Sequence, residues 1–558
     1  MPLPRFDLPT FPINSSGWNL PFWAGAAPIV DQIQSQTADF VGSLTNNLLD
    51  GLFNTPFGGD PLSTGPSSSA SPYVVPVAPG VEIRSIVTTG DVIDTKTGPA
   101  SQAGHPYKFG GIPDGIGAFD NHDGTFTVLV NHELGSSSGV EREHGSKGAY
   151  VTELVVDKDT LEVVGAQDLI DHVHLYDAAS NTYLEAGTTA FNRFCSGDLA
   201  KQGAFYDPAS GKGYQGLIYL NGEETADGRA FAHFVTGAQE GESYELPWLG
   251  NLAFENVVAN PHSGEKTVVV ATDDSTPGQV YVYVGDKQAG GSAVEQAGLA
   301  NGKLYGIKVL GPADEARADG FGAPELRFDL VQLGTNGEVS DLTAAQLQTQ
   351  SEAQGVTEFL RPEDGAWDTL DPSRFYFVTT DRFDEFKDNH DGSDADTVVD
   401  EVGRSRLWRL DLDDLSDPSK GGKIEMLLDG TEAQNMLDNI TVNSRGQVMM
   451  QEDVGNQAHL GKIWMYDPAT DKLTLIAEHD PARFGDFDNP AAAPFNQDEE
   501  SSGIIDVSDI LGTPGRDVYL FDVQAHYPNP DGELVEGGQL LAMQVNNAAL
   551  FAANDWIV

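Results

Sequence analysis

A single cysteine, Cys195, stands in the run Phe191-Asn192-Arg193-Phe194-Cys195-Ser196-Gly197-Asp198 of a 558-residue chain. It has no partner for an internal disulfide, so it is either a buried small hydrophobe or a thiolate with a chemical role. Acidic residues gather at the edges of apolar runs. Asn131-His132-Glu133, Asn221-Gly222-Glu223-Glu224, Thr272-Asp273-Asp274-Ser275 and Gln451-Glu452-Asp453 close such runs. Glu255 lies within another, Arg361-Pro362-Glu363-Asp364 and Asp438-Asn439 open two more, and Asn496-Gln497-Asp498-Glu499-Glu500 precedes a last one. Any one of these reads as a solvated turn. Brought together, the carboxylates repel one another strongly at intermediate dielectric, so they assemble only around cations or by taking up protons. Oxygen donors suit Ca²⁺ and Fe³⁺, and a thiolate among them points to a transition metal such as iron. On the residues alone, Cys195 remains open between ligand and inert thiol.

Other candidates are weaker. Gly135-Ser136-Ser137-Ser138-Gly139 spells a nucleophile elbow, but no helical pattern follows it, so a flexible loop is the plainer reading. His132 fits a structural histidine as well as a group supporting the site. Asp384-Glu385, Asp388, Asp391, Asp394, Asp396, Asp400 and Glu401 form an acidic loop whose spacing is not that of an EF-hand. It reads as a solvated loop or as a peripheral calcium site.

These residues need a scaffold that carries many strand ends to one place. From about residue 74 the chain is a succession of short β runs, among them Thr125–Val130, Gly216–Leu220, Thr267–Ala271, Val280–Val284, Phe375–Thr379 and Asp517–Val523. Turn signals such as Asp123-Gly124 and Ser444-Arg445-Gly446 separate them. Thr343–Gln354 is the best helix candidate. Leu407-Trp408-Arg409-Leu410-Asp411-Leu412, Ile463-Trp464-Met465-Tyr466-Asp467-Pro468 and Leu304-Tyr305-Gly306-Ile307-Lys308-Val309 repeat one kind of strand, which predicts an all-β propeller of about six blades. Residues 1–73, with a possible helix within Val30–Phe53 and a Pro/Ser/Gly stretch at Pro56–Pro72, read as an N-terminal arm and linker. Residues 74–558 read as one catalytic propeller domain.

The charge excludes whole classes of function. With 85 Asp+Glu against 31 Lys+Arg, a formal net of -54, nucleic-acid binding is not expected. No run reaches the roughly 18 apolar residues of a membrane span. The first residues lack the pattern of a Sec-type signal.

Taken in order, Asn131-His132-Glu133, Cys195-Ser196-Gly197, Gly222-Glu223-Glu224, Glu255, Asp273-Asp274, Arg361-Pro362-Glu363, Asp438-Asn439, Glu452-Asp453 and Asp498-Glu499-Glu500-Ser501-Ser502-Gly503 resemble the PhoX-type alkaline phosphatases, over about residues 100–530. The resemblance implies a propeller with an axial iron–calcium site (Fe³⁺ and Ca²⁺) that hydrolyses small phosphate esters outside the cell, in the periplasm or medium. It implies that Cys195 ligates iron, that Glu255 and Glu363 bind metal, and that Arg361 contacts phosphate, so that Cys195, Glu363 and Arg361 carry the catalysis. Glu133, Glu223, Glu224, Asp273, Asp274, Asp438, Glu452 and Asp453 are then further metal or supporting residues. A monomer is expected. The alternatives are another propeller hydrolase (a phytase, phosphotriesterase or lactonase) or a non-catalytic extracellular binding propeller.

Overall fold

A computed structural model describes residues 56–552 except 94–105, 187, 276–277, 317–318, 336–337, 381–404, 456–458 and 487–488. The chain divides into two units, residues 1–58 and 59–558, and the described strands all belong to the second. The expected helix within Val30–Phe53 and the acidic loop from Asp384 to Glu401 lie outside the described residues.

Six strands form the innermost layer: β1 (Pro113–Asp120), β2 (Phe194–Leu199), β3 (Asn251–Ala259), β4 (Pro362–Trp367), β5 (Leu437–Val442) and β6 (Glu499–Asp506). Each is a neighbour of the next, and β6 returns to β1, so they close a ring. Each inner strand pairs antiparallel with the next strand of a sheet running outward; farther out in the sheet of β2, His172–Asp177 pairs parallel with Glu242–Glu245. From β1 the order is Thr125–His132, Tyr150–Asp157, Val163–Asp168. From β4 it is Arg374–Thr379, Arg406–Leu412, Gly422–Leu428, and from β5 it is Val448–Glu452, Lys462–Asp467, Lys472–His479. The sheet of β6 is completed by Val81–Thr88, which pairs antiparallel with Gly537–Asn546 and so joins the two ends of the fold. The fold is a β-propeller. Among the described residues no helix is long and apolar enough to cross a membrane.

Alternating side chains explain the packing. Period-two runs such as Tyr150–Asp157 bury one face against each neighbouring sheet. The recurring tryptophan phrase falls on equivalent strands: Trp408 pairs with Phe377 and Trp464 with Met450, each in the third strand from the axis. Both indoles are buried and both N–H groups are satisfied, by Thr379 Oγ1 (3.1 Å) and Glu452 Oε1 (2.7 Å). The helix predicted at Thr343–Gln354 forms as Ala344–Gln354; Thr343 and Gln346 make its capping box and Gly355, at φ 69°, ends it. Within the stretch read as linker, Leu62–Thr64 pairs parallel with Val81–Thr88.

Candidate active site

The inner strands begin in an unusual way, and that beginning builds the site. Ile112, Arg193, Arg361 and Met436, each two residues ahead of a ring side chain, have left-handed backbones with φ of 49°, 53°, 56° and 47°. For non-glycine residues this conformation costs about 1–2 kcal/mol each. The strand then pairs once and bulges. Register shifts fall between Pro113 and Ile116, Phe194 and Gly197, Phe254 and Val257, Pro362 and Gly365, and Leu437 and Ile440. The first residue of each bulge is Asp114, Cys195, Glu255, Glu363 or Asp438. A bulge re-aims a side chain, and here it happens at one mouth of the ring in five strands. β6 differs: Glu500 sits in register opposite Gln524, and the irregularity comes later, between Ser502 and Ile505.

A second set of carboxylates comes from the neighbouring strands. These run antiparallel to the inner ones, so their C-terminal ends reach the same mouth. They bring Glu133, Glu224, Asp274 and Asp453. Ligand atoms of Asp114, Glu133 and Cys195 lie within 4.8 Å of one another, as do those of Glu255, Asp274 and Glu363. The two groups meet where Cys195 Sγ donates to Glu255 Oε2 (3.1 Å) and Ser196 Oγ donates to Glu255 Oε1 (2.7 Å). Asp438 lies in the field of Glu255, Glu363, Glu500 and Asp453. Polar groups behind the ring fix it: Asn131 Nδ2 donates to the Cys195 carbonyl (2.5 Å), Asn221 Nδ2 to Asn131 Oδ1 (3.0 Å), and Asn439 Nδ2 to Ser196 Oγ (2.6 Å).

Strand alternation sends one member of each acidic doublet into the ring and the other away. Glu223 is held by Arg229 Nε (2.8 Å) and the Asn192 N–H (3.1 Å). Glu452 accepts from Trp464 Nε1 (2.7 Å), the Asn435 N–H (2.8 Å) and the Lys462 N–H (3.0 Å), and meets His459 at 3.0 Å. Asp273 accepts from Ser275 Oγ at 2.9 Å. The structure therefore gathers Cys195, Glu133, Glu224, Glu255, Asp274, Glu363, Asp438 and Asp453 but directs Glu223, Asp273 and Glu452 elsewhere. His132 is stacked on Tyr150 and bonded to the Gly111 carbonyl (2.9 Å) and Thr152 (2.8 Å), a structural placement. No helix follows Gly135–Gly139 among the described residues.

Several members of the site had no doublet to announce them. Asp114 follows a lone proline, and Asp522 lies in the middle of the strand Arg516–Ala525. Arg193 Nη2 reaches Glu133 Oε1 (2.7 Å) and pairs with Glu224. His526 Nδ1 bonds Glu536 (2.6 Å) with Nε2 facing Glu500 at 3.8 Å. Arg361 donates to both oxygens of Asp274 (2.6 and 2.7 Å) and lies 3.3 Å from Glu363.

The electrostatics follow from burial and crowding. Burial first, then Asp114 and Glu255, push the Cys195 thiol well up. Burial and neighbouring carboxylates likewise raise Asp114, Glu255, Asp438 and Glu224 well above the carboxylate range, and Asp453 to about 8. Asp274 is the exception: burial opposes its charge, but Arg361 outweighs it and holds the carboxyl low. Asp114 Oδ1, Glu363 Oε2 and both Asp522 oxygens are buried with no hydrogen-bond partner among the described residues. An unpartnered buried carboxylate oxygen costs several kcal/mol unless a proton or a cation meets it. These oxygens and one thiol fit hard cations beside a thiolate-tolerant metal.

Residues 237–491 match the family model "Alkaline phosphatase PhoX". That span holds Glu255, Asp273, Asp274, Arg361, Glu363, Asp438, Glu452 and Asp453; Cys195 and Glu133 precede it. No curated protein matches the chain. Among solved structures, Pseudomonas fluorescens PhoX in complex with vanadate, a transition state analogue, superposes with a TM-score of 0.56 at 13% identity, over 88% of this chain and 99% of that one. A Trypanosoma rangeli sialidase scores 0.33 at 8% identity, over 85% and 60% of the two chains. The β-propeller domain of the trilobed protease from Pyrococcus furiosus scores 0.26 at 6% identity, over 74% and 91%. The matched span makes this chain similar to the PhoX alkaline phosphatases over residues 237–491, and the superposition shows that it shares the fold of the Pseudomonas fluorescens protein.

Proposed function

We propose that the acidic mouth holds Fe³⁺ and Ca²⁺ and hydrolyses small phosphate esters to inorganic phosphate. The carrying observation is the convergence of buried, partly unpartnered carboxylate oxygens on the only thiol of the chain. Cys195, Glu255 and Asp114 are assigned to the iron side. Glu133, Glu224, Asp274, Glu363, Asp438, Asp453 and Glu500 are assigned to the remaining cations, with Glu255 shared between the sides. When bound, such cations supply Lewis-acid charge to phosphoryl oxygens and a water of lowered pKa.

The chain's own residues do the rest. Without cations this mouth would repel an anionic ester. Arg361 is assigned to a phosphoryl oxygen while it braces Asp274 and Glu363. Asn439 and Ser196 orient Glu255, and Thr380 Oγ1, 2.7 Å from Glu363 Oε1, orients Glu363. Glu223, Asp273 and Glu452 hold the strand ends in place instead of binding ions. The acidic surface and the family resemblance support an extracytoplasmic, monomeric protein.

The test is release of phosphate from 4-nitrophenyl phosphate at alkaline pH. Activity should vanish with a chelator and return with iron plus calcium. Fully metallated protein that releases no phosphate from any mono- or diester would overturn the proposal.

A further inference from the structure

Two arginines occupy matching places at the mouth: Arg193 two residues ahead of Cys195, Arg361 two ahead of Glu363, with φ of 53° and 56°. Their backbone strain is shared with Ile112 and Met436, so it belongs to strand entry and says nothing special about arginine. Their surroundings differ. The Arg361 side chain is 19% exposed, and Asp274 takes its Nε and Nη2. The Arg193 side chain is 47% exposed at the rim. Its contacts with Glu133 and Glu224 both leave from Nη2, and neither Nη1 nor Nε makes a hydrogen bond among the described residues. Glu224 lies in the field of Asp274, so the two arginines brace one run of carboxylates: Arg193 between Glu133 and Glu224, Arg361 between Asp274 and Glu363.

We infer that Arg193 is a second phosphoryl-binding residue of this site, meeting a phosphate oxygen through Nη1 while Glu133 and Glu224 hold its Nη2. A guanidinium N–H is a charged donor, and its hydrogen bond to a phosphoryl oxygen is stronger than one between neutral groups. Held by one nitrogen, the side chain is pre-aimed and loses little freedom on binding. The chain's net charge of -54 makes a half-exposed cation over the acidic ring the natural first contact for an entering anion. This assignment rests on the proposed phosphatase activity.

The experiment compares metal-loaded wild type with Arg193→Lys and Arg193→Gln. It measures KM and kcat for 4-nitrophenyl phosphate, the inhibition constant of inorganic phosphate, and iron and calcium content. Both variants should raise KM and the phosphate inhibition constant about tenfold or more at unchanged metal content. A purely structural arginine would instead lower metal content or melting temperature and leave phosphate inhibition alone. Arg193→Lys keeps the charge between Glu133 and Glu224, so it decides the matter if Arg193→Gln does not fold. Metal-replete Arg193→Lys with the wild-type inhibition constant overturns the assignment alone. Wild type that neither hydrolyses the ester nor binds phosphate overturns the proposed activity and the assignment with it.

Discussion

The same six inner strands end in two very different mouths. At their N-terminal ends five of them bulge, and together the six bring Asp114, Cys195, Glu255, Glu363, Asp438 and Glu500 to one mouth. At their C-terminal ends they frame a cavity of about 990 Å³ whose wall mixes Ile116, Val258, Trp367 and Ile504 with Asp198 and Asp364. Both ends face the same axis and are made by the same chain segments. The difference lies in local backbone. One end has left-handed entries in four strands and bulges in five that turn a polar residue inward against the pleat; the other keeps regular pairing in those five strands, with one irregularity, between Ser502 and Ile505 of β6. The ring thus gathers most of its ligand side chains where the pleat is broken, and Glu500, in register, is the exception.

The largest expected effect comes from breaking the acidic mouth. Glu255→Gln should lower kcat/KM by at least about a hundredfold, because a ligand should matter at least as much as the groups that merely orient ligands. A smaller loss, with iron still bound, would remove Glu255 from the centre.

The second test is the pH response of metal-free protein. Asp453 has a folded pKa of about 8 against an ordinary 3.8. A raised folded value means the stabilising contribution is complete below the unfolded value and is lost as pH rises through the folded one. The melting temperature without metals should therefore fall from about pH 4 to above about pH 8, and calcium should restore more of it at higher pH. Asp453→Asn should flatten that fall. A metal-free protein that gains stability over this window would contradict the crowding described at the mouth.

Third, Glu452→Gln should destabilise by about 2–3 kcal/mol through its lost charged hydrogen bonds and keep its metals. Its neighbour Asp453→Asn should lose calcium. Reversed outcomes in calcium analysis would mean that strand alternation does not sort the doublet. Smallest of all, Ile504→Val in the opposite mouth should cost about 0.5–1.5 kcal/mol and leave kcat/KM unchanged; a kinetic change would show that the two mouths communicate.

Only part of this contrast is legible in the sequence. The β class, the tryptophan strands and the convergence of strand ends can be read from pattern and turns, because they depend on local periodicity. The sorting of each doublet cannot, since a one-residue bulge reverses which side chain faces the axis. In the neighbouring strands alternation does the sorting, and Glu224, and not Glu223, enters the ring. Asp114 has no doublet to mark it, and its one sequence signal is the Pro113-Asp114-Gly115 step, whose parallel is Pro362-Glu363. Arg193 is hidden beside the cysteine, because its role depends on Glu133 and Glu224, which lie far from it in sequence. Asp522 is an interior strand residue, and only its burial without a partner singles it out.

The central claim is that the broken pleat assembles a mixed-metal centre around the lone thiol. Anomalous scattering from crystals of freshly purified protein, recorded on both sides of the iron edge, tests it most directly. Such a centre should give an iron peak at bonding distance from Cys195 Sγ and beside Glu255, with calcium-sized density among Glu224, Asp274, Glu363 and Asp438. A protein that hydrolyses phosphate esters with no iron beside Cys195 would contradict it.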